Sequence, residues 1–140
     1  GRVIKEGKKI ALINFGARLK ECLIVEESLK KKGINISLID ARFCKPLDEN
    51  LMWQIANDHE IVISIEEGSI GGFGSHLGQF LNEKNLLDNN LKFRSMFLPD
   101  RFIDHDKPET MYKFAGLDSL NIETKILDTL NSKVIVKKSN

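Results

Sequence analysis

The stretch Ile61-Val-Ile-Ser-Ile-Glu-Glu-Gly-Ser-Ile-Gly-Gly-Phe-Gly-Ser-His76 constrains this chain more than any other. The apolar, β-branched run Ile61 to Ile65 predicts a buried strand. Glu66 and Glu67 stand where that strand would end, and a glycine-rich loop, Gly68 to Gly74, follows. Ser75 has the chemistry of a helix N-cap, and His76-Leu-Gly-Gln-Phe-Leu81 continues with helical spacing. Strand, acidic end, glycine turn and helix together describe a corner of an open α/β sheet. Such sheets receive ligands and partners at the carboxyl ends of their strands.

The remaining segments extend the same pattern. Arg2 to Gly7 reads as a short extended piece ending in a turn. Lys9 to Asn14 is a nearly continuous apolar strand, as expected when both faces of a sheet are covered. Phe15-Gly16 turns the chain into a helix over 18–32, with Cys22, Val25 and Leu29 on one face and Gly33 as its stop. Ile34 to Ile39 is a second strand closing at Asp40. Asp48 is placed to cap a helix that starts at Glu49 and carries Leu51, Met52 and Ile55. Asn57-Asp58-His59 reads as a turn before the Ile61 strand. A helix over 75–84 and a polar loop over 85–90 follow. Leu91 to Leu98 alternates as an edge strand would, and Pro99-Asp100 stops it. A short helix is expected near Met111 to Phe114, then a turn at Gly116-Leu-Asp118, then a last helix capped by Asn121. Lys133 to Asn140 is a tail, with flexibility expected from about residue 131. Strands alternating with helices predict a three-layer α/β/α domain over 1–140. Its sheet has about five strands and is mostly parallel, with room for one antiparallel edge.

Composition narrows the function. At 15.9 kDa and a net charge of +1, no polyanionic partner is implied, and nucleic acid is not expected. Lysine outnumbers arginine 16 to 5, against the bias that bidentate phosphate recognition favours. No apolar run approaches the roughly 18–20 residues of a membrane span, so no membrane partner is expected. Cys22 and Cys44 lack CxxC spacing, so a disulfide framework or zinc site is not indicated and a reducing compartment is the default. The chain starts at Gly1 beside a strand-like run, which reads as part of a longer polypeptide.

Several residues invite chemical readings. Gly71, Gly72 and Gly74 ahead of a helix either form a tight turn for close backbone packing or offer N–H groups to an anion or partner. Their spacing is not a dinucleotide fingerprint. Glu66 and Glu67, as strand neighbours, point to opposite sides and share no proton. One is placed to cap the loop's N–H groups and the other to face neighbouring protein. Arg42, two residues past Asp40, can pin Asp48, Glu66 or Glu67, or reach an anion from another domain. His59, His76 and His105 have no metal-ligand spacing, and there is no Gly-x-Ser-x-Gly elbow. Cys22 reads as core. Cys44 is reactive only if a cation lowers its pKa. These residues form no complete catalytic set.

Three runs carry a family resemblance: Asp40-Ala-Arg-Phe-Cys-Lys-Pro-Leu-Asp48, Glu66-Glu-Gly-Ser-Ile-Gly-Gly-Phe-Gly-Ser-His76 and Leu98-Pro-Asp-Arg-Phe-Ile-Asp-His105. From about Arg2 to about Leu130 the chain resembles the C-terminal domain of the 1-deoxy-D-xylulose-5-phosphate synthase family. Gly116-Leu-Asp118 also fits. The coarser pattern is shared with transketolase and with the β subunits of 2-oxo acid dehydrogenase E1 enzymes, where this domain type docks a separate acyltransferase. Cys44 resembles the plant and plastid type. The Lys- and Asn-rich composition suits an AT-rich genome such as an apicomplexan's. Asp106 departs from the glycine expected after His105.

The resemblance implies a transketolase C-terminal-like fold and an enzyme that condenses pyruvate with D-glyceraldehyde 3-phosphate. It releases carbon dioxide and feeds isoprenoid, thiamin and pyridoxal synthesis. The implied cofactors are thiamin diphosphate and Mg²⁺, held by two preceding domains and not by this one. The implied partners are those domains and a second copy in a homodimer. The implied location is a plastid or apicoplast in a plant or apicomplexan, and otherwise the cytoplasm. No catalytic residue is expected here. Arg42, Glu66, Glu67, Gly71, Gly72, Gly74, Ser75, His76 and His105 are expected to touch neighbouring protein or an anion.

Overall fold

The structure is a computed structural model that describes residues 2–41, 47–67, 72–98 and 108–132, with backbone alone over 108–117. Its elements run β1 (Arg2–Lys5), β2 (Lys9–Phe15), α1 (Leu19–Lys31), β3 (Ser37–Asp40), α2 (Glu49–Asp58), β4 (His59–Glu67), α3 (Phe73–Glu83), β5 (Lys92–Leu98) and α4 (Pro108–Asn131). The five strands form one sheet in the order β1-β3-β2-β4-β5. The β3, β2, β4 and β5 ladders are parallel, and β1 joins β3 antiparallel. The fold is therefore the mostly parallel α/β architecture expected, with one antiparallel edge. The alternating strand β5 does lie at an edge, but it runs parallel, and the antiparallel edge is β1.

Period-two burial builds both layers at once. On β2, Ala11 and Ile13 face one side with Ile39 and Val62, under α2 (Met52, Ile55) and α3 (Leu77, Phe80). Ile10 and Leu12 face the other side with Leu38, Ile61, Ile63 and Ile65, under α1 (Cys22, Val25, Leu29) and α4 (Ile122, Ile126). Winding starts at β2, moves outward to β3 and returns across to β4, so α1 and α2 fall on opposite faces.

Four local expectations need correction. First, Asn57-Asp58-His59 is not a turn: α2 runs through Asp58, and His59 is already extended (φ −129°, ψ 157°) as the first residue of β4. The His59 ring is held on both nitrogens, Nδ1 2.7 Å from the Ile55 carbonyl and Nε2 2.7 Å from the Ser37 hydroxyl. Second, β3 begins at Ser37 and not Ile34. The Ile34 N–H donates to Leu29 O and the Gly33 N–H to Lys30 O, a Schellman closure that draws Ile34 into the end of α1.

Third, the expected break over 116–118 and the cap at Asn121 are absent. The helix α4 is continuous from Pro108, a residue suited to a first helical position. Asp118, Ser119, Ile122 and Ile126 are all buried, so packing overrides the roughly 1 kcal/mol cost of an interior glycine such as Gly116. Fourth, Ser75 is not the cap of α3: the helix starts at Phe73 with Gly72 before it, for a reason given below. By contrast Asp48 does cap α2, its Oδ1 accepting from the Leu51 N–H at 3.1 Å.

The long helix is tied to α1 at both ends, by Arg18 with Asp118 and by Lys32 with Glu123. Burial works against the Glu123 carboxylate, but hydrogen bonds from Lys32 and Ser28 outweigh it and hold its pKa below the usual value. A lowered carboxylate pKa stabilises the fold above the unfolded value of about 4.3, and that stabilisation is lost as pH falls through the lower folded value. Glu123→Gln should therefore be less stable than wild type at pH 7 and converge with it in acid. Urea unfolding at pH 7 and pH 3 measures this, and an equal deficit at both pH values would contradict it.

Candidate functional site

In a sheet wound this way, the crevice between β2 and β4 at their carboxyl ends is where α/β proteins admit ligands. Here the chain fills it with its own side chains. Glu66 and Glu67 are the last two residues of β4 and diverge to opposite faces, as strand neighbours must. Glu66, wholly buried, turns toward α3: its Oε2 accepts from the Gly74 N–H at 2.6 Å and its Oε1 from the Phe73 N–H at 3.3 Å. Glu67 reaches across to the loop after β2, where its Oε1 accepts from the Ala17 N–H at 3.1 Å, just ahead of α1. Two adjacent carboxylates thus serve the amino ends of the two helices that flank the crevice, where free N–H groups and the helix dipole favour negative charge. The Phe15 and Phe73 rings stack across the same gap, 4.7 Å between centroids and 5° from parallel.

This explains why Ser75 does not cap α3. Its role is taken by Glu66, which lies eight positions before Gly74 and needs the folded strand to deliver it. The two glycines here do different work. Gly72 sits at φ +98°, and a methyl group there would find only the His76 ring, at an ordinary 3.7 Å. Gly74 has the opposite problem. A Cβ there would lie 2.8 Å from Ser95 Cβ and 3.2 Å from both Glu66 Oε2 and Ser64 Oγ, so only glycine lets α3 settle onto β4 and β5. Ser75 and His76 are exposed on the first turn of α3. Arg42, Cys44, Gly71 and His105 lie outside the described residues, as does the tail over 133–140.

The opposite face carries a polar cluster that sequence reasoning missed. Asn14, the next-to-last residue of β2, lies in register with Asp40, and both are buried. The Asn14 amide donates to Asp40 Oδ1 at 3.4 Å and to Gly16 O at 3.1 Å. Nearby, Arg18 and Asp118 pair at 3.8 Å with side chains only 6% and 9% exposed. The signal available was two polar residues, Asn14 and Asp40, closing apolar strands at matching ends. Burial, reinforced by the charges of Glu21 and Asp40, pushes the Cys22 thiol far up, so it is an inert core group.

Chemically, the rim offers charge acceptors that are already in use. Among the described residues no group of three or more His, Cys, Asp or Glu is placed to hold a metal ion. Both Glu66 oxygens are engaged by backbone N–H groups, so this carboxylate does not fit a divalent cation, and the Phe73 and Gly74 N–H groups are not free for a cofactor diphosphate. The concave surface of about 470 Å³ along α1 is lined by Lys20, Leu23, Ile24, Glu27, Ser28 and Lys31, and includes neither Glu66 nor Glu67.

Glu66→Gln should lower unfolding stability by about 1–3 kcal/mol, since an amide offers one acceptor to two buried donors. Glu67→Gln should cost less, because its contact is exposed. Gly74→Ala should cost about 1–3 kcal/mol through overpacking, and Gly72→Ala about 1–2 kcal/mol through its left-handed backbone. Urea titration of the four variants checks this order; a wild-type midpoint for Gly74→Ala would show that α3 has slack.

Comparison with known proteins places this geometry. The sequence profile described as "Transketolase, C-terminal domain" matches residues 1–122. A solved chain described as a split gene transketolase in an inactive beta4 tetramer superposes with a TM-score of 0.71 at 25% sequence identity, over 92% of this chain and 41% of that one. The chain spans about two fifths of that neighbour's length. With the profile matched over most of its residues, the chain belongs to the transketolase C-terminal domain family.

Proposed function

We propose that this chain is the third, non-catalytic domain of a 1-deoxy-D-xylulose-5-phosphate synthase. That enzyme condenses pyruvate with D-glyceraldehyde 3-phosphate, releasing carbon dioxide. The domain's task is to support the dimer and the two preceding domains. The observation that carries this reading is the closed rim: Glu66 and Glu67 are spent on the chain's own helices, so the corner braces structure instead of holding a reactant. The synthase wording of Arg42-Phe-Cys-Lys-Pro-Leu-Asp48, Gly71-Gly-Phe-Gly-Ser-His76 and Leu98-Pro-Asp100 supports the finer assignment. Thiamin diphosphate and a metal ion supply the carbanion chemistry in enzymes of this type. On this reading they are held by the other domains. Ser75 and His76, exposed beside the closed crevice, would face neighbouring protein.

The neighbour described as a split gene transketolase favours one alternative. In it, this domain type would belong to a transketolase or to an E1 β subunit, acting as a docking module.

Two measurements separate these readings. The full-length enzyme should convert pyruvate and D-glyceraldehyde 3-phosphate to 1-deoxy-D-xylulose 5-phosphate. Two-carbon transfer between sugar phosphates, or capture of a lipoyl-bearing subunit, would reassign it. Titration calorimetry of the 140-residue chain with thiamin diphosphate and Mg²⁺ should give no heat of binding. Micromolar affinity would overturn the non-catalytic role.

A further inference from the structure

The amino end of the sheet, opposite the Glu66 rim, holds a titratable group in a setting of its own. Gly7 lies in the turn between β1 and β2, and Ser37 and His59 open β3 and β4. The Ser37 hydroxyl meets three atoms. It accepts from the Gly7 N–H at 3.0 Å, lies 3.3 Å from the Gly7 carbonyl oxygen, and lies 2.7 Å from His59 Nε2. The other ring nitrogen, Nδ1, is 2.7 Å from the Ile55 carbonyl of α2. A carbonyl can only accept, so Nδ1 carries a hydrogen and the tautomer is fixed. Ser37 is buried and His59 half-buried.

We propose that Ser37 and His59 form a proton-operated switch that fastens the β1–β2 turn to the sheet. With a neutral ring, Nε2 presents a lone pair. The single hydrogen of the Ser37 hydroxyl goes to it, and the Gly7 carbonyl receives nothing from Ser37. When Nε2 takes a proton from solvent it becomes a donor to the Ser37 oxygen. The hydroxyl hydrogen then rotates to the Gly7 carbonyl, so Ser37 holds Gly7 by both its N–H and its C=O. No other bond forms or breaks. Each state of the ring keeps both nitrogens partnered, so taking up the proton does not eject the side chain. It adds one bond between turn and sheet.

The surroundings give the switch its leverage. Ile55 is among the last four residues of α2, whose carbonyls have no partner within the helix, and that end of a helix accommodates positive charge. Gly7 is pressed onto the chain entering β3. A Cβ there would fall 2.3 Å from the Ile36 carbonyl carbon, and the Lys8 N–H donates to Asn35 O at 2.9 Å. The turn in turn carries β1, a four-residue edge strand that slips register on β3. The charged groups around the ring are Lys9, its partner across the β2–β4 ladder, Asp58 and Glu60 beside it in the chain, and Glu6 and Lys8 on either side of Gly7. The strand β3 brings none before Asp40, at its far end. All five are exposed, where water and salt screen them. This inference is independent of the chemistry of the parent enzyme.

The test is nuclear magnetic resonance of the 140-residue chain through a titration of its imidazoles. In alkaline solution the ring nitrogens of His59 should show the shifts of the tautomer protonated on Nδ1 alone. On acidification Nε2 should gain its proton, and the Gly7 amide and carbonyl signals should shift with the same midpoint as the ring. Ser37→Ala should abolish the Gly7 response while the ring still titrates, and Ser37→Thr, which keeps the hydroxyl, should restore it. The wild-type titration decides the matter alone where Ser37→Ala does not fold. Gly7 signals that ignore the ring overturn the proposal. So does a ring protonated on Nε2 alone in alkaline solution, or one that takes up no proton before the chain unfolds, or a Gly7 response that survives Ser37→Ala.

Discussion

Two neighbouring carboxylates hold the carboxyl rim of this sheet together. Because consecutive strand residues face opposite ways, Glu66 and Glu67 can act on two different layers from one point in the chain. One receives the N–H groups that open α3, and the other receives an N–H ahead of α1. The sheet's central pair of strands, β2 and β4, is thereby linked to one helix on each face. A buried carboxylate persists only when its acceptor capacity is met, and among the described residues Glu66 meets it with the backbone donors of Phe73 and Gly74.

That arrangement depends on close approach. Helix α3 must sit low enough for Gly74 to bring its N–H within 2.6 Å of the carboxylate, and any side chain at that position would strike Ser95. The Phe15–Phe73 stack then covers the gap with apolar surface. On the far side, Asn14 with Asp40 and Arg18 with Asp118 tie β2, β3, α1 and α4 through buried polar contacts. The carboxyl end of the sheet, usually the open end in α/β proteins, is here braced on both faces.

Much of the fold was legible because its signals are local. The apolar runs of β2 and β4, the Asp48 cap and the Gly33 stop each act within a few residues, and each appears in the structure. Where the reading went astray, a distant partner had outbid a local signal. Ser75 had the right chemistry for a cap, but a strand-borne glutamate occupied the N–H groups first. Gly116 and Asn121 looked like a stop and a restart, yet buried Asp118, Ser119 and Ile122 carry the helix through. The site was half visible. The divergence of Glu66 and Glu67 followed from strand geometry, whereas Ala17 as the N–H donor to Glu67 could be known only once β2 and β4 were adjacent. Arg18 with Asp118 was beyond reach for the same reason, being a contact between the second strand's exit and a helix 100 residues later.

The self-capped helices also decide what this rim turns away. A helix amino end is an inviting berth for phosphate. With Glu66 already on the Phe73 and Gly74 N–H groups and Glu67 on that of Ala17, an arriving phosphomonoester meets like charge at those donors. Those backbone donors are thereby closed to free anions, and the corner is a brace that solutes pass by.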